Sequence, residues 1–172
     1  MSSTRSRLSG LRTSCAAVGA ALLLLVSAPG GHAAASDTAE SRAGSGDGGQ
    51  ARGRYAVCEA RPNNPHWSRN GRSVIFKTRV TCRGTIPQVH VRVRGQLVRN
   101  PGSSKARVVA VSNETRVVRT NGSTATYYTP KPRGKKVRGT ARYQGRVTVQ
   151  ITSPAPGSVG SARSKVVRVT TP

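Results

Sequence analysis

The chain has 172 residues, enough for one domain or at most two, and its 29 Lys and Arg against five Asp and Glu give a formal net charge of +24. Leu, Ile, Val and Phe make up about 19% of the residues, which at this charge borders on the composition of disordered chains. Three cysteines exclude a multi-bridge knot and a four-thiolate zinc site.

The chain opens with Arg5, Arg7 and Arg12, followed by an apolar run from Ala16 to Ala28 and then Ala33-Ala34-Ala35-Ser36. A basic region, a short apolar stretch and a small-x-small site predict a secretory signal peptide over residues 1–35, cut at Ala35/Ser36. The run is too short to span a bilayer, which takes about 20 apolar residues, so no membrane anchoring is expected after cleavage. Cys15 precedes the run and leaves with the signal. Residues 36–54 contain no Val, Ile, Leu or Phe, and Asp37, Glu40 and Asp47 balance three arginines. Such a stretch buries too little surface to offset its ordering entropy, and a disordered linker is expected there.

Residues 55–172 hold 23 cations and only two acids, Glu59 and Glu114, so the excess charge of the secreted product, +21, sits in this domain. Its pattern is that of strands. Over Phe76–Arg83 the even positions are apolar or Thr; over Val89–Arg94 the odd ones are apolar; over Tyr143–Ile151 the odd ones again alternate with polar residues. A period of two marks a half-buried strand, and the abundance of valine suits a pleated surface. Strands are predicted near 55–60, 73–83, 88–99, 105–112, 115–120, 123–129, 139–152 and 163–170. Turn signals at Asn70-Gly71, Asn100-Pro101-Gly102, Asn121-Gly122 and Pro154–Gly157 separate them. The fold expected is all-β: an antiparallel Ig-like β-sandwich or open barrel of about seven to eight strands. Its valine core is anchored by Phe76, Trp67 and Tyr143.

Cys58 and Cys82 are the cysteines left in the secreted product, and in an oxidising compartment they are expected to pair. In the loop-entropy account a loop of about 25 residues contributes roughly 3 kcal/mol.

The residues give little support for catalysis. Residues 55–172 contain no Asp, and Glu59 and Glu114 are far apart in sequence. His66 lies in a Pro-rich turn and His90 on the polar side of a basic strand, neither beside a group that would orient it as a base. No metal-ligand spacing, phosphate-cradling Gly loop or cofactor motif is present. The expectation is therefore a non-enzymatic protein without cofactor or metal. A hydrolase using Glu59 or Glu114 with His66 is the remotest alternative, and a secreted effector or inhibitor acting on another protein is a nearer one.

The basic surface is the informative feature. Lys131, Arg133, Lys135, Lys136 and Arg138 crowd into KPRGKKVR, where Pro132 and Gly134 favour a loop. Arg142 and Arg146 follow on the polar side of the next strand. These seven are the expected anion-binding residues, for a partner such as an acidic glycan, a nucleic acid or the cell envelope. Tyr127-Tyr128, just before the loop, are expected to place one ring in the core and one at an edge. A secreted monomer is expected.

The stretch YAVCEARPNNPHWSRNGRSVIFKTRVTCRG, residues 55–84, is similar to small secreted actinobacterial proteins. The likeness rests on the two cysteines, the Asn-Pro-His-Trp-Ser turn and the strand after it, and it implies no activity.

Overall fold

The computed structural model describes residues 37–44 and 53–172. The expected signal peptide with its cut at Ala35/Ser36, Cys15, and residues 36 and 45–52 of the expected linker lie outside the described residues.

The described chain is all-β, with antiparallel strands β1 (Ala39–Gly44), β2 (Tyr55–Pro62), β3 (His66–Ser68), β4 (Ser73–Arg99), β5 (Arg107–Thr129), β6 (Ala141–Ser153), β7 (Val159–Arg163) and β8 (Val167–Val169). The main path runs β1-β2-β4-β6-β7; β3 and β5 pair with β4, and β8 with β6. The sheet curls into a nearly closed, barrel-like form. The alternation read in the sequence is the inside–outside alternation of the strands: Phe76, Thr78, Val80 and Cys82 are buried, as are Val89, Val91 and Val93, and Tyr143, Val147, Val149 and Ile151.

The inward set changes from even to odd between Cys82 and Val89, so the chain must gain an odd number of residues there. It does so without ending the strand. β4 advances from Arg83 to Gln88 while β5 moves only from Asn121 to Arg119, a bulge that bends both strands together. Gly84 sits at this bend because a Cβ there would come 2.2 Å from the Tyr55 carbonyl oxygen. The Asn121-Gly122 signal expected as a hairpin turn is instead the one-residue bulge of β5. Gly122 takes φ +86°, which a glycine adopts freely, and the chain continues extended. The predicted strands 73–83 and 88–99 are thus one strand, and the three predicted between 105 and 129 are another. Conversely, the segment predicted as one strand over 163–170 is interrupted between β7 and β8. His66, expected in a turn, begins the short β3.

The largest departure concerns the linker. Residues 39–44, within the stretch expected to be disordered, form β1 and pair with β2 from Ala39↔Ala60 to Gly44↔Tyr55. Ala39, Ser41 and Ala43 point inward and are buried. The Ser41 hydroxyl donates to the Ser158 carbonyl at 2.5 Å and accepts from the Ile151 amide at 2.9 Å. The Ser158 amide donates to the Arg42 carbonyl at 2.9 Å. β1 thereby bridges the gap between β2 and the start of β7. Large side chains are not needed because the slot is narrow: a Cβ on Gly160 would stand 2.1 Å from the Glu40 carbonyl oxygen.

Two hydrophobic clusters fill the interior. One gathers the valines of β4 and β6 with the alanines of β1 and β2. The other contains Val74, Phe76, Leu97, Ala110, Val137, Tyr143 and Val169, with Trp67 partly buried against it. Cys58 and Cys82 face one another across β2 and β4 and are joined by a disulfide.

Candidate anion-binding site

The basic loop links β5 to β6 at the end of the barrel that holds the Phe76–Tyr143 cluster. Lys131, Arg133, Lys135, Lys136 and Arg138 are all exposed, and Val137 among them is buried. Val137 fastens the loop to the start of β4: its amide donates to the Ser73 hydroxyl at 2.9 Å and its carbonyl accepts from the Val74 amide at 2.8 Å. A tight turn, in which the Gly134 amide donates to the Lys131 carbonyl at 2.9 Å, sets the other half. The cations are therefore carried on a pinned loop, not on a freely moving one.

Pinning brings Lys135, Lys136 and Arg138 against two arginines that sequence reasoning did not select. Arg99 ends β4 and Arg107 begins β5; they are directly opposite in the ladder. The five side chains line a hollow of about 270 Å³ at the barrel mouth. Arg99 shares the inward parity of Leu97 and lies opposite the buried Tyr143 on its other side, so it reaches into the mouth. Its Nε is buried without a hydrogen-bond partner. The guanidinium lies where a Cβ on Gly139 would be only 3.1 to 3.5 Å away, so a larger residue at 139 would displace it. Arg99 and Arg107 also line an adjoining hollow with Lys105. Lys131 and Lys135 line a third, beside the outer valines of β5.

No acid lines these hollows. Among the described residues three ion pairs form, each between a glutamate and the arginine two positions on: Glu40–Arg42, Glu59–Arg61 and Glu114–Arg116. The glutamates are thus neutralised on their own strands, away from the mouth. Like charges directly opposite in a ladder repel, so the Arg99–Arg107 pair and its ring of lysines form a positive focus suited to an oxyanion.

Arg142 and Arg146 are not part of this lining. They project from the outer face of β6, opposite Arg168 of β8 and Arg163 of β7 respectively. Tyr127 and Tyr128 divide as expected. Tyr127 is buried and its hydroxyl donates to the Val91 carbonyl at 3.2 Å, while Tyr128 is partly exposed with the Lys77 ammonium 5.7 Å from its ring centre. Burial pushes the Tyr127 phenol up to about 12, against a smaller downward pull from Arg116, whose guanidinium stacks 4.9 Å from the ring centre. Burial likewise raises Tyr143, with Arg99 and Arg107 pulling the other way.

The carboxylates and histidines considered for hydrolysis are dispersed. Glu59 lines an outer groove with Arg61 and Arg79 that does not include His66, and His66 Nδ1 lies 3.2 Å from the Asn64 carbonyl. Among the described residues no three His, Cys, Asp or Glu gather as a metal site.

Arg99 and Arg107 were legible in principle. They flank the connection over residues 100–106 that the Asn100-Pro101-Gly102 signal opens, and a hairpin brings the residues at the two ends of its connection opposite one another. What the sequence lacks is the placing of the 131–138 loop beside the Arg99–Arg107 pair. No known family, curated protein or solved structure matches this chain.

Proposed function

We propose that the chain is a secreted, monomeric, non-enzymatic protein that binds anionic polymers or surfaces through its basic barrel mouth. One observation carries this: five cations from three parts of the chain converge on one hollow without an acid among them, and one of them, Arg99, holds a buried donor with no acceptor. A charge spread only for solubility would leave its cations apart and fully hydrated. Here the fold spends backbone hydrogen bonds on bringing them together. An oxyanion in the hollow supplies the missing acceptor and relieves the repulsion between Arg99 and Arg107. Phosphate contacts position a polymer without reading its sequence, so binding is expected to be indifferent to sequence.

The test is a salt titration of single-stranded oligonucleotide and of inorganic polyphosphate against wild type, R99Q/R107Q and a variant with all five loop cations changed to Gln. For a single strand the log–log slope is about −0.7 per neutralised phosphate. Both variants are expected to bind more weakly with a shallower slope while keeping the β circular-dichroism spectrum. Equal slopes for all three proteins would show the mouth to be an ordinary solvated surface.

A further inference from the structure

The pairing registers hold a pattern beyond the mouth. Besides Arg99–Arg107, and Arg61–Arg79 where Glu59 pairs with Arg61, arginines stand directly opposite one another at Arg142–Arg168 and Arg146–Arg163. β7 and β8 lie on the same side of β6, since β4 occupies the other. Arg142 and Arg146 share the outward parity of β6; Arg163 and Arg168 are exposed while Ala162 and Val169 beside them are buried. The four guanidinium groups therefore form a double row on one outer face, with successive pairs about 13 Å apart along β6 at four strand residues' rise. None of the four is in an ion pair with a described acid. The one side-chain bond among them is a long one, from Arg146 Nε to the side-chain amide oxygen Oε1 of Gln144 at 3.4 Å.

Two like charges directly opposite in a ladder are unfavourable, and two successive pairs make the arrangement costly without a counter-ion. The double row begins beside the mouth. The Asn100 amide donates to the Arg142 carbonyl at 2.8 Å, which sets the start of the row against the residue following Arg99. Arg99 and Arg142 nevertheless belong to opposite faces, inner and outer, of the same rim. A compact anion reaches one or the other. Only a flexible chain of anions reaches both.

We infer that the double row Arg142, Arg146, Arg163 and Arg168 is an anion track continuous with the mouth, and that the partner is a linear phosphate polymer running over the rim. This rests on the mouth being an anion site. The track carries no exposed aromatic ring on β6, β7 or β8, where Tyr143 is buried. Base stacking, the usual support for single-stranded nucleic acid, is therefore missing, and the polymer recognised is one whose affinity comes from phosphate alone.

The test compares tripolyphosphate with long-chain inorganic polyphosphate on wild type and on R163Q/R168Q, two exposed substitutions outside the mouth. R163K/R168K serves as a charge-keeping control. Wild type is expected to bind the long chain at least tenfold more tightly per molecule than tripolyphosphate. R163Q/R168Q is expected to lose most of that gain, with a salt slope for the long chain shallower by about 1.4 for two contacts, and to bind tripolyphosphate unchanged. The lysine variant is expected to retain the gain. Unchanged long-chain binding and slope in R163Q/R168Q would overturn the track while leaving the mouth standing. Failure of wild type to bind either probe would overturn the mouth reading itself. A single-stranded oligonucleotide binding far more tightly than polyphosphate of matched charge would overturn the assignment to a base-free polymer.

Discussion

Tyr127 shows how one buried phenol constrains the pH range of the fold. Its ring is in the core and its hydroxyl donates to the Val91 carbonyl, so ionisation costs both burial and a hydrogen bond. The folded chain holds this proton up to about 12, whereas an unfolded tyrosine releases it near pH 10. The unfolded state thus loses its proton first. The contribution is complete below about pH 10 and declines as pH rises toward about 12. Denaturant unfolding at several alkaline pH values is expected to show Tyr127→Phe declining less steeply than wild type over that interval. Gly145 makes a different demand. A Cβ there would meet the Phe76 ring at 2.8 to 3.0 Å, inside the core and against a ring that cannot give. Gly145→Ala is expected to lower unfolding stability by about 1 to 3 kcal/mol, the range for overpacking, as read from the denaturant midpoint.

Among the elements, β1 carries the most unexpected role. It contributes only methyl groups and a hydroxyl to the core, so no hydrophobic pattern announces it. Its hold comes from the ladder with β2 and from Ser41, whose hydroxyl serves one donor and one acceptor of other segments. Removing residues 1–52 is expected to destabilise the barrel markedly, because β1 is then lost from the ladder with β2. Ser41→Ala, which removes only the hydroxyl and leaves the Ile151 amide unsatisfied, is expected to cost about 1 to 3 kcal/mol in thermal or chemical unfolding. The disulfide works on the neighbouring strand pair. Cys58 and Cys82 are already opposite in the ladder and stand 24 positions apart in sequence, so the bridge chiefly limits the unfolded chain. Changing both to Ser is expected to lower stability by about 2 to 5 kcal/mol. Unfolding of wild type with reductant should reproduce the loss.

At the scale of the whole molecule the charge dominates. A domain carrying 23 cations and two acids over residues 55–172 repels itself, and compactness suffers from that repulsion. Added salt is expected to raise the melting temperature as the screening length falls to about 10 Å at 0.1 M. At matched ionic strength polyphosphate is expected to raise it further than chloride, because a ligand bound only by the folded state adds its own stabilisation. R99Q/R107Q should reduce the excess over chloride while responding to chloride much as wild type does. Identical shifts for the two salts would mean that screening alone acts.

Strand character, the inward residues of β4 and β6, the cysteine pair and the concentration of charge were all determined by the sequence itself. Each follows from local alternation, residue type or count. Whether two alternating runs make two strands or one bent strand was decided by the tertiary structure, because a bulge and a turn use the same Asn-Gly and Gly residues. The same holds for β1. Its small residues become core only where Gly157, Gly160 and Ser158 leave a slot too narrow for anything larger. The expected loop cations Lys135, Lys136 and Arg138 do belong to the mouth hollow, but Arg142 and Arg146 belong to another face. Their partners Arg99, Arg107, Arg163 and Arg168 lie from 17 to 39 positions away in sequence. Charge carries no period that marks its neighbours in space, so only strand register and loop docking select which cations meet.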